Sequence, residues 1–355
     1  MITYLESNII FFPILIAFIA TVLATPLSLI FIRRFGIIDD PAKHKHPAIL
    51  HKKPVPRGGG IPLFIGVLLS SLVLLPLTNT VTALLFAAFI ALLTGVLDDK
   101  FDLSPYIRLP INILCAVIVV ASGISIPFIT NPLGGIFYLN SIVLPFNILL
   151  SNVVAVVWIV WVMNMLNWSK GVDGQMPGVV AISAFVIGLL SLRFGLDSLS
   201  LLSAKLSFII AGASLGFLIF NFYPAKIFPG YGATAVYLLL AAVSMLSSAK
   251  LATAILVMGV PMIDGMFTVV RRILTGRSPF WHDKKHLHHL LLTFGFKQPH
   301  VALFYWIISA ILGSLSLLLE SRGKLFALIM AGIIVGGGLL FLHIVVNKNN
   351  DNPEA

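Results

Sequence analysis

Residues 81–102 read VTALLFAAFIALLTGVLDDKFD, an apolar run that ends abruptly in Asp98, Asp99 and Asp102. Residues 81–97 contain no charged side chain, and their number is close to the roughly 20 residues that a membrane-spanning helix needs. Because charges are costly inside a bilayer, acidic residues grouped at the end of such a helix indicate a site for an ion or a charged substrate.

The remainder of the chain repeats this apolar pattern. Of its 355 residues, 59% are hydrophobic and 10% are charged, whereas a soluble domain has roughly 25% charged residues. We therefore predict an all-α polytopic membrane protein with about eleven transmembrane helices in a single domain, residues 1–346. The apolar windows are 9–32, 61–78, 81–97, 110–125, 148–166, 178–194, 204–222, 233–249, 251–270, 301–319 and 325–346.

Two segments depart from the helical pattern. Residues 124–146, ISIPFITNPLGGIFYLNSIVLPF, alternate in polarity and are broken by Pro132, Gly134 and Gly135, which predicts a small extracytoplasmic hairpin. The polar end, residues 347–355, predicts a disordered cytoplasmic tail.

The distribution of positive charge predicts the orientation in the membrane. With eleven spans and the N-terminus outside, all but five of the 23 Lys and Arg residues fall on the cytoplasmic side. Cytoplasmic loops of membrane proteins are enriched in Lys and Arg, so the C-terminus and every polar cluster are expected on that face. The same enrichment explains the net charge of +10 without a nucleic-acid partner. The five exceptions are Arg193, Lys205, Lys250, Arg322 and Lys324.

The acidic cluster suits a metal ion. Asp98 and Asp102 are four residues apart, which places them on one face of a continuous helix. Mg²⁺ is commonly bound through one or two carboxylates together with substrate phosphates. The alternative is a solvated acidic helix end, although Lys100 alone would not balance three acids.

A basic loop precedes the second window. Residues 39–62 read DDPAKHKHPAILHKKPVPRGGGIP, and such a density of Lys, Arg and His attracts anions. The alternative is a loop that touches anionic lipid headgroups. Arg57, followed by Gly58, Gly59 and Gly60, is the more specific feature, because glycine lets backbone N–H groups approach a phosphate closely. The basic and imidazole residues before it are Lys43, His44, Lys45, His46, His51, Lys52 and Lys53.

Residues 164–178, NMLNWSKGVDGQMPG, follow the fifth window. Asn164 and Asn167 are three residues apart at the end of the span, and Lys170 and Asp173 come directly after it. Buried amides in membrane helices also join one helix to another, so Asn164 alone is ambiguous. The whole string, which ends in a Gly-rich turn, favours a binding site.

Two further strings complete the polar set. IFPGYGATA, residues 227–235, is a glycine turn before a span. Residues 261–295 contain Asp264, which should face protein or water because it lies within an apolar window, followed by a basic and imidazole group. We interpret that group as a diphosphate clamp rather than a zinc site. Two histidines could bind zinc, but the third ligand, a carboxylate at the spacing of known zinc motifs, is missing. Its members are Arg271, Arg272, His286, His288 and His289.

These five strings, in this order, resemble the polyprenyl-phosphate N-acetylhexosamine-1-phosphate transferase family, within its UDP-N-acetylglucosamine:undecaprenyl-phosphate branch. The resemblance runs from about Asp39 to Gly295 and includes the layout of the spans. It implies a protein of the bacterial cytoplasmic membrane that needs Mg²⁺. A polyprenyl phosphate would attack the β-phosphate of a UDP-sugar, giving polyprenyl diphospho-sugar and UMP for cell-envelope polysaccharide or peptidoglycan synthesis.

The resemblance also implies roles for individual residues. Asp98 and Asp99 would orient or deprotonate the lipid phosphate and place the metal, with Asp173 as a further metal ligand. Asn164, Asn167 and Asp173 would bind the nucleotide side of the donor. The remaining expected substrate contacts are Arg57, Asp102, Arg271, Arg272, His286, His288 and His289. A homodimer is compatible with the sequence.

The chain departs from the family pattern at two positions. The third motif normally carries an Asp where this chain has Lys170, and the fourth normally carries a metal-binding Asp where this chain has Tyr231. Two carboxylates are lost and one ammonium is gained, so Mg²⁺ binding should be weakened. Lys170 would then take over part of the neutralisation of the diphosphate as a catalytic residue, or Asp98, Asp99 and Asp102 would hold the ion alone.

Two alternatives to an active transferase follow. One is a catalytically silent relative that binds lipid phosphate or nucleotide sugar. The other is a transporter, which is disfavoured because transporters place charged sites near the membrane midplane, whereas these clusters lie at one face. The branch resemblance favours N-acetylglucosamine as the sugar.

Overall fold

The structure is a computed structural model that describes residues 7–42, 51, 53–131, 134–193, 197–246, 248–279, 281 and 285–351. The expected contributions of Lys43, His44, Lys45, His46, Lys52 and Pro132 lie outside the described residues. The described residues form thirteen α-helices and three two-stranded antiparallel pairs.

The helices follow the apolar windows. A π-helical turn, Ser7–Phe11, leads into α1, and a 3₁₀ turn, Tyr231–Ala233, leads into α8. The bounds are α1 Phe12–Arg34, α2 Gly60–Leu74, α3 Asn79–Phe101, α4 Pro105–Ala121, α5 Leu150–Trp168, α6 Gln175–Arg193, α7 Ser198–Asn221, α8 Thr234–Met245, α9 Ser248–Val257, α10 Gly259–Leu274, α11 Leu287–Thr293, α12 Gln298–Leu318 and α13 Ser321–Asp351.

Fewer than eleven of the described helices are by themselves long enough and apolar enough to count as membrane spans. Among the described residues, seven helices meet the length and composition of a span, or eight if α9 and α10 count as one span bent by 82°. The apolar helices α2, α4 and Tyr231–Met245 are shorter. At 1.5 Å per residue, the 15 residues of α2 reach about 22 Å, less than the roughly 30 Å of a hydrocarbon core.

The packing places α8 at the centre. All twelve residues of α8 are buried, as expected for a helix that is apolar on every side. Helices α3, α5 and α7 pack against it, and α1 packs on α2 and α7. The outer helices expose large apolar side chains, among them Leu27 on α1 and Ile334 on α13, each 70% exposed. Such surfaces face lipid in a membrane protein.

The strands lie in the connections. β1, Ile38–Asp39, pairs with β2, Val55–Pro56, ahead of α2. The predicted hairpin is confirmed as β3, Phe128–Thr130, paired with β4, Ile136–Tyr138. A second small pair, β5 Val143–Leu144 with β6 Ile148–Leu149, follows it. Helix α13 is described as far as Asp351, and the disordered tail expected at 347–355 stays a prediction.

Close glycine contacts bring three distant segments together. A Cβ atom on Gly60 or on Gly95 would collide with the backbone of Gly232. The start of α2, the last turns of α3 and the 3₁₀ turn before α8 are therefore in backbone contact. This contact positions the candidate site.

Candidate active site

Asp99 is fixed at the end of α3 by three partners. Its side chain is fully buried, and its Oδ1 lies 2.9 Å from Nε of Arg57 and accepts a hydrogen bond of 2.8 Å from the backbone N–H of Tyr231. Its Oδ2 accepts a longer bond of 3.4 Å from the N–H of Gly232. A Cβ on Gly230 would collide with the same carboxylate, so glycine at that position lets the turn close over Asp99. Both oxygens of Asp99 are thus occupied within the protein.

Asp98 is paired with Arg108. The Arg108 guanidinium lies 3.2 Å from Oδ1 and 3.4 Å from Oδ2 of Asp98, whose side chain is fully buried. Ser104 begins α4 by accepting a hydrogen bond of 3.3 Å from the N–H of Tyr106, and Arg108 follows one turn later. The end of α3 and the start of α4 are therefore joined through this ion pair.

Lys170 brings a third positive charge to the same place. It lies just beyond the end of α5, and its Nζ donates a hydrogen bond of 2.7 Å to the carbonyl oxygen of Gly230. Burial and the nearby Arg57 lower the pKa of Lys170 to about 7, and Arg108 adds to this, whereas Asp99 and Asp98 act in the opposite direction. Lys170 thus shares one electrostatic environment with both acids.

Tyr231 lies between the cations. Its ring centroid is 4.9 Å from the Arg108 guanidinium carbon and 6.0 Å from Lys170 Nζ, both within the range of cation–π interactions. Its hydroxyl accepts a hydrogen bond of 2.9 Å from Asn112 Nδ2. Sequence reasoning missed the roles of Arg108 and Asn112. The Ser104-Pro105 helix start, one turn before Arg108, was the available signal.

A small cleft of about 70 Å³ opens beside these groups. Asn164 uses its amide to donate a hydrogen bond of 2.7 Å to Val160 within its own helix. Asn167 Oδ1 is buried and accepts no hydrogen bond from the described residues, so it is free to accept one from a ligand. The cleft is lined by Pro105, Arg108, Leu109, Asn164, Asn167, Trp168 and Tyr231.

Asp173 has a different partner from Asp98 and Asp99. Its Oδ2 accepts a hydrogen bond of 2.9 Å from the backbone N–H of Ala225, which ties the loop after α5 to the loop after α7. Burial raises the pKa of the Asp173 carboxyl, and the bond from Ala225 opposes that rise. Among the described residues, the hydrogen bond to the Asp173 carboxylate comes from Ala225 and not from the elements that hold Asp98 and Asp99.

The predicted Asp98–Asp102 pair does not form. Asp102 ends α3 with its backbone in the left-handed conformation, φ 50°, and is exposed, whereas Asp98 is 1% exposed. Helical spacing no longer applies once the helix has ended at Phe101. The two carboxylates therefore occupy different environments.

The glycines after Arg57 are not open to a phosphate. The N–H groups of Gly58 and Gly59 donate to the carbonyl oxygen of Phe228, at 3.3 and 2.9 Å. The N–H of Gly60 donates to Pro229 at 2.9 Å. These bonds hold the turn before α8, so the predicted anion cradle is wrong, and the glycines serve close packing.

The histidines form a stacked group that Asp264 anchors. His286 Nδ1 lies 3.0 Å from Asp264 Oδ2, and the N–H of Leu287 donates to Asp264 Oδ1 at 2.9 Å. The ring centroids of His286 and His288 are 5.6 Å apart, and those of His288 and His289 are 4.2 Å apart. Burial lowers the pKa of His288 well below its ordinary value, and the two neighbouring rings add to this.

The histidine group touches the loop that carries Lys170. A Cβ on Gly171 would collide with the imidazole of His288, so the loop passes directly over that ring. Trp306 Nε1 donates to the carbonyl oxygen of Gly174 at 3.2 Å and joins α12 to the same loop. The two predicted clusters therefore converge.

The two arginines of α10 contact other elements. Arg271 Nη1 lies 3.3 Å from His343 Nε2 on α13. Arg272 is buried, and its Nη1 donates a hydrogen bond of 2.6 Å to the carbonyl oxygen of Pro279. These contacts hold the loop after α10 and the last helix.

The donor set does not fit Mg²⁺. The described residues contain no group of three or more His, Cys, Asp and Glu side chains arranged to hold a metal ion. Asp98 and Asp99 are each in an ion pair with an arginine, and Lys170 adds a further positive charge. Mg²⁺ requires near-octahedral oxygen ligands at about 2.0–2.1 Å. The arginines and backbone N–H groups already engage most oxygens of Asp98 and Asp99, with Oδ1 of Asp98 as the exception.

Apolar helices that enclose two buried carboxylates paired with basic side chains define an integral membrane protein with a charged candidate site. The model of glycosyl transferase family 4 matches residues 81–248. Over 349 residues, the chain is 31% identical to a probable undecaprenyl-phosphate N-acetylglucosaminyl 1-phosphate transferase of Bacillus subtilis, covering 94% of this chain and 91% of that protein. The chain belongs to glycosyl transferase family 4.

Other relatives are also similar to this chain over most of its length. A decaprenyl-phosphate N-acetylglucosaminephosphotransferase of Mycobacterium tuberculosis is 31% identical, with 95% of this chain and 89% of that protein covered. An undecaprenyl-phosphate alpha-N-acetylglucosaminyl 1-phosphate transferase of Escherichia coli is 28% identical, with 85% and 83% covered. The similarity therefore extends well beyond the segment that the family model matches.

Proposed function

We propose that this protein transfers N-acetylglucosamine-1-phosphate from a UDP-sugar to a polyprenyl phosphate. An oxygen of the lipid phosphate attacks the β-phosphorus, the bond from that phosphorus to the bridging oxygen breaks, and UMP leaves with the electron pair. Phosphoryl transfer depends mainly on positioning and charge neutralisation. The supporting observation is the convergence of Arg57, Arg108 and Lys170 with two buried acids beside a cleft, in a chain whose relatives are named as such transferases.

The residues of the site divide into three groups in this proposal. Asp98 and Asp99 orient the lipid phosphate and hold Arg108 and Arg57 in place. Asn167, with its free amide oxygen, and Asn164 bind the nucleotide side, together with Asp173. The remaining groups hold the diphosphate or the sugar from the outer part of the site: Asp102, Arg271, Arg272, His286, His288 and His289.

The proposal includes an orientation and an assembly state. The active site and the C-terminus lie on the cytoplasmic side and the N-terminus outside, in accordance with the excess of Lys and Arg in the corresponding loops. A homodimer remains a prediction. The silent-relative alternative gains no support from the comparisons, because the relatives described above are named as transferases.

The test is a direct assay of purified protein with undecaprenyl phosphate and labelled UDP-N-acetylglucosamine, with and without Mg²⁺. We expect lipid-linked sugar and UMP in equal amounts, and loss of both in Asp98→Ala. The matched control is Glu320→Gln, which changes an exposed carboxylate ahead of α13. Absence of product from several UDP-sugars, with the Bacillus subtilis relative active in the same detergent, would overturn the proposal.

A further inference from the structure

We infer that Lys170, Arg57 and Arg108 provide the positive charge that neutralises the substrate diphosphate, and that transfer therefore does not require a divalent cation. This inference rests on the proposed function and specifies how its site handles charge. Four observations carry it: the pairing of the charges, the contacts of the carboxylates, the position of Tyr231 and the unused donors of Lys170.

Each buried carboxylate of the site is already paired with an arginine, Asp99 with Arg57 and Asp98 with Arg108. Lys170 lies beside both pairs and adds positive charge when it is protonated, while Asp39 and Asp102 act on Arg57 from further away. A divalent cation is normally held where acidic ligands exceed basic ones, because its own charge is the largest in the site. Because the arginines already neutralise both buried carboxylates, a protonated Lys170 at this position favours a diphosphate over Mg²⁺.

Each buried carboxylate is already in an ion pair with an arginine. To bind a metal ion, Asp99 would have to release Arg57 and the N–H groups of Tyr231 and Gly232. Arg108 lies within 3.4 Å of both oxygens of Asp98 and donates a hydrogen bond to Oδ2, whereas the buried Oδ1 accepts no hydrogen bond from the described residues. Asp173, the other predicted ligand, is bound to Ala225 instead.

The Tyr231 side chain lies between Arg108 and Lys170. Its hydroxyl is engaged by Asn112, and its ring packs between Arg108 and Lys170. The ring makes cation–π contacts with both side chains and is not a metal ligand. It holds the guanidinium and the ammonium apart from each other.

Protonated Lys170 has N–H donors that the described residues do not use. A lysine ammonium has three N–H groups, and among the described residues only the carbonyl oxygen of Gly230 accepts one of them. The other two are available for phosphate oxygens. Since Gly230 belongs to the same turn that closes over Asp99, the ammonium is held in place before a substrate arrives.

The experiment measures binding and turnover separately. Isothermal titration with inorganic pyrophosphate and with UDP, in the presence of EDTA, should show binding to the unaltered protein. Lys170→Met keeps the length of the side chain and removes its charge, so we expect affinity to fall about tenfold or more. Lys226→Met, in an exposed loop, is the matched control and should bind like the unaltered protein.

A second measurement follows the metal. Electron paramagnetic resonance should detect no stoichiometric Mn²⁺ bound to the unaltered protein, and Mn²⁺ binding should appear in the double variant Lys170→Asp, Tyr231→Asp. Turnover in EDTA should be within about twofold of turnover in Mg²⁺, a difference below 0.5 kcal/mol in barrier. Monodispersity on size exclusion shows that each variant is folded.

The outcomes separate the two proposals. Stoichiometric Mn²⁺ binding to the unaltered protein, or turnover abolished by EDTA and restored by Mg²⁺, would overturn the inference while leaving the proposed function intact. If no substrate turns over under any condition, the proposed function fails. Binding of pyrophosphate in EDTA that depends on Lys170 would then still support the charge assignment.

Discussion

Arg57 and Asp99 form an ion pair of 2.9 Å that joins the connection before α2 to the end of α3. The Asp99 carboxylate is fully buried, and the Arg57 side chain is 32% exposed. Because the same carboxylate also binds the turn at Tyr231, one side chain holds three segments of the site.

Removing this carboxylate should therefore affect stability as well as turnover. Breaking a fully buried ion pair by removing one partner costs about 3–5 kcal/mol, and the partial exposure of Arg57 reduces the expected loss to about 2 kcal/mol for Asp99→Asn. We expect a lower unfolding temperature in detergent and no detectable transfer. Glu320→Gln should change neither, and a fully stable, fully active Asp99→Asn protein would contradict the assigned role.

The contact between Gly171 and His288 gives a second prediction. Gly171→Ala forces the loop away from the imidazole, because an added Cβ collides with it. Overpacking of this kind costs typically about 1–3 kcal/mol, and displacement of Lys170 next to it should reduce pyrophosphate affinity. Both quantities are measurable by thermal unfolding and titration.

The control for this substitution is Gly332→Ala on α13. Apart from the backbone of its own helix and its chain neighbours, no described atom lies within 4 Å of the position that its Cβ would take, and alanine is the better helix former. Stability should stay the same or rise slightly, with unchanged binding. If both alanine variants behave alike, the loop does not depend on its contact with His288.

The hydrophobic pattern predicted where helices lie but not how many of them cross the membrane. Each apolar window coincides with at least part of a helix, since burial of apolar side chains is needed both in lipid and in a protein core. The window 233–249 is mostly α8, which lies in the centre of the bundle and touches protein on every side. Hydropathy does not distinguish a helix surrounded by lipid from a helix surrounded by protein.

The sequence predicted which residues belong to the candidate site, but not which of them contact one another. The strings that carry Asp99, Lys170 and His288 do converge, because charged groups in an apolar chain must find one another or water. Which cation pairs with which acid depends on tertiary packing, so the Asp98–Arg108 pair was not predicted. The local expectation for Asp102 failed because the helix ended before it.

The depressed pKa of Lys170, about 7, gives a prediction for ligand binding as a function of pH. In the free protein, the protonated fraction falls as pH rises through 7, and with it the charge available to an anion. Affinity for pyrophosphate, measured relative to Lys170→Met at each pH, should therefore decline between pH 6 and pH 9, because the comparison cancels the ionisation of pyrophosphate itself. Titration of Lys170→Met over the same range supplies the reference, and a constant ratio of the two affinities would contradict the prediction.

Stability should change with pH in the opposite sense. The unfolded chain holds the Lys170 proton up to the ordinary pKa of lysine, whereas the folded protein releases it near pH 7. Between these values the unfolded state binds more protons, so the free energy of unfolding rises with pH. Lys170→Met should lose this rise, and an unchanged slope would contradict the depressed pKa.

The orientation of the chain leads to a prediction that requires no activity. The sole cysteine, Cys115, is buried, so a Cys115→Ala background provides a chain without thiols. On that background, Ser141→Cys, in the exposed connection after β4, should react with a membrane-impermeant maleimide in intact cells. Lys226→Cys, in the exposed loop after α7, should react only after the membrane is permeabilised. These expectations follow from the excess of Lys and Arg on one side of the membrane, and the reverse labelling pattern would place the candidate site on the outer face, where a cytoplasmic UDP-sugar does not reach it.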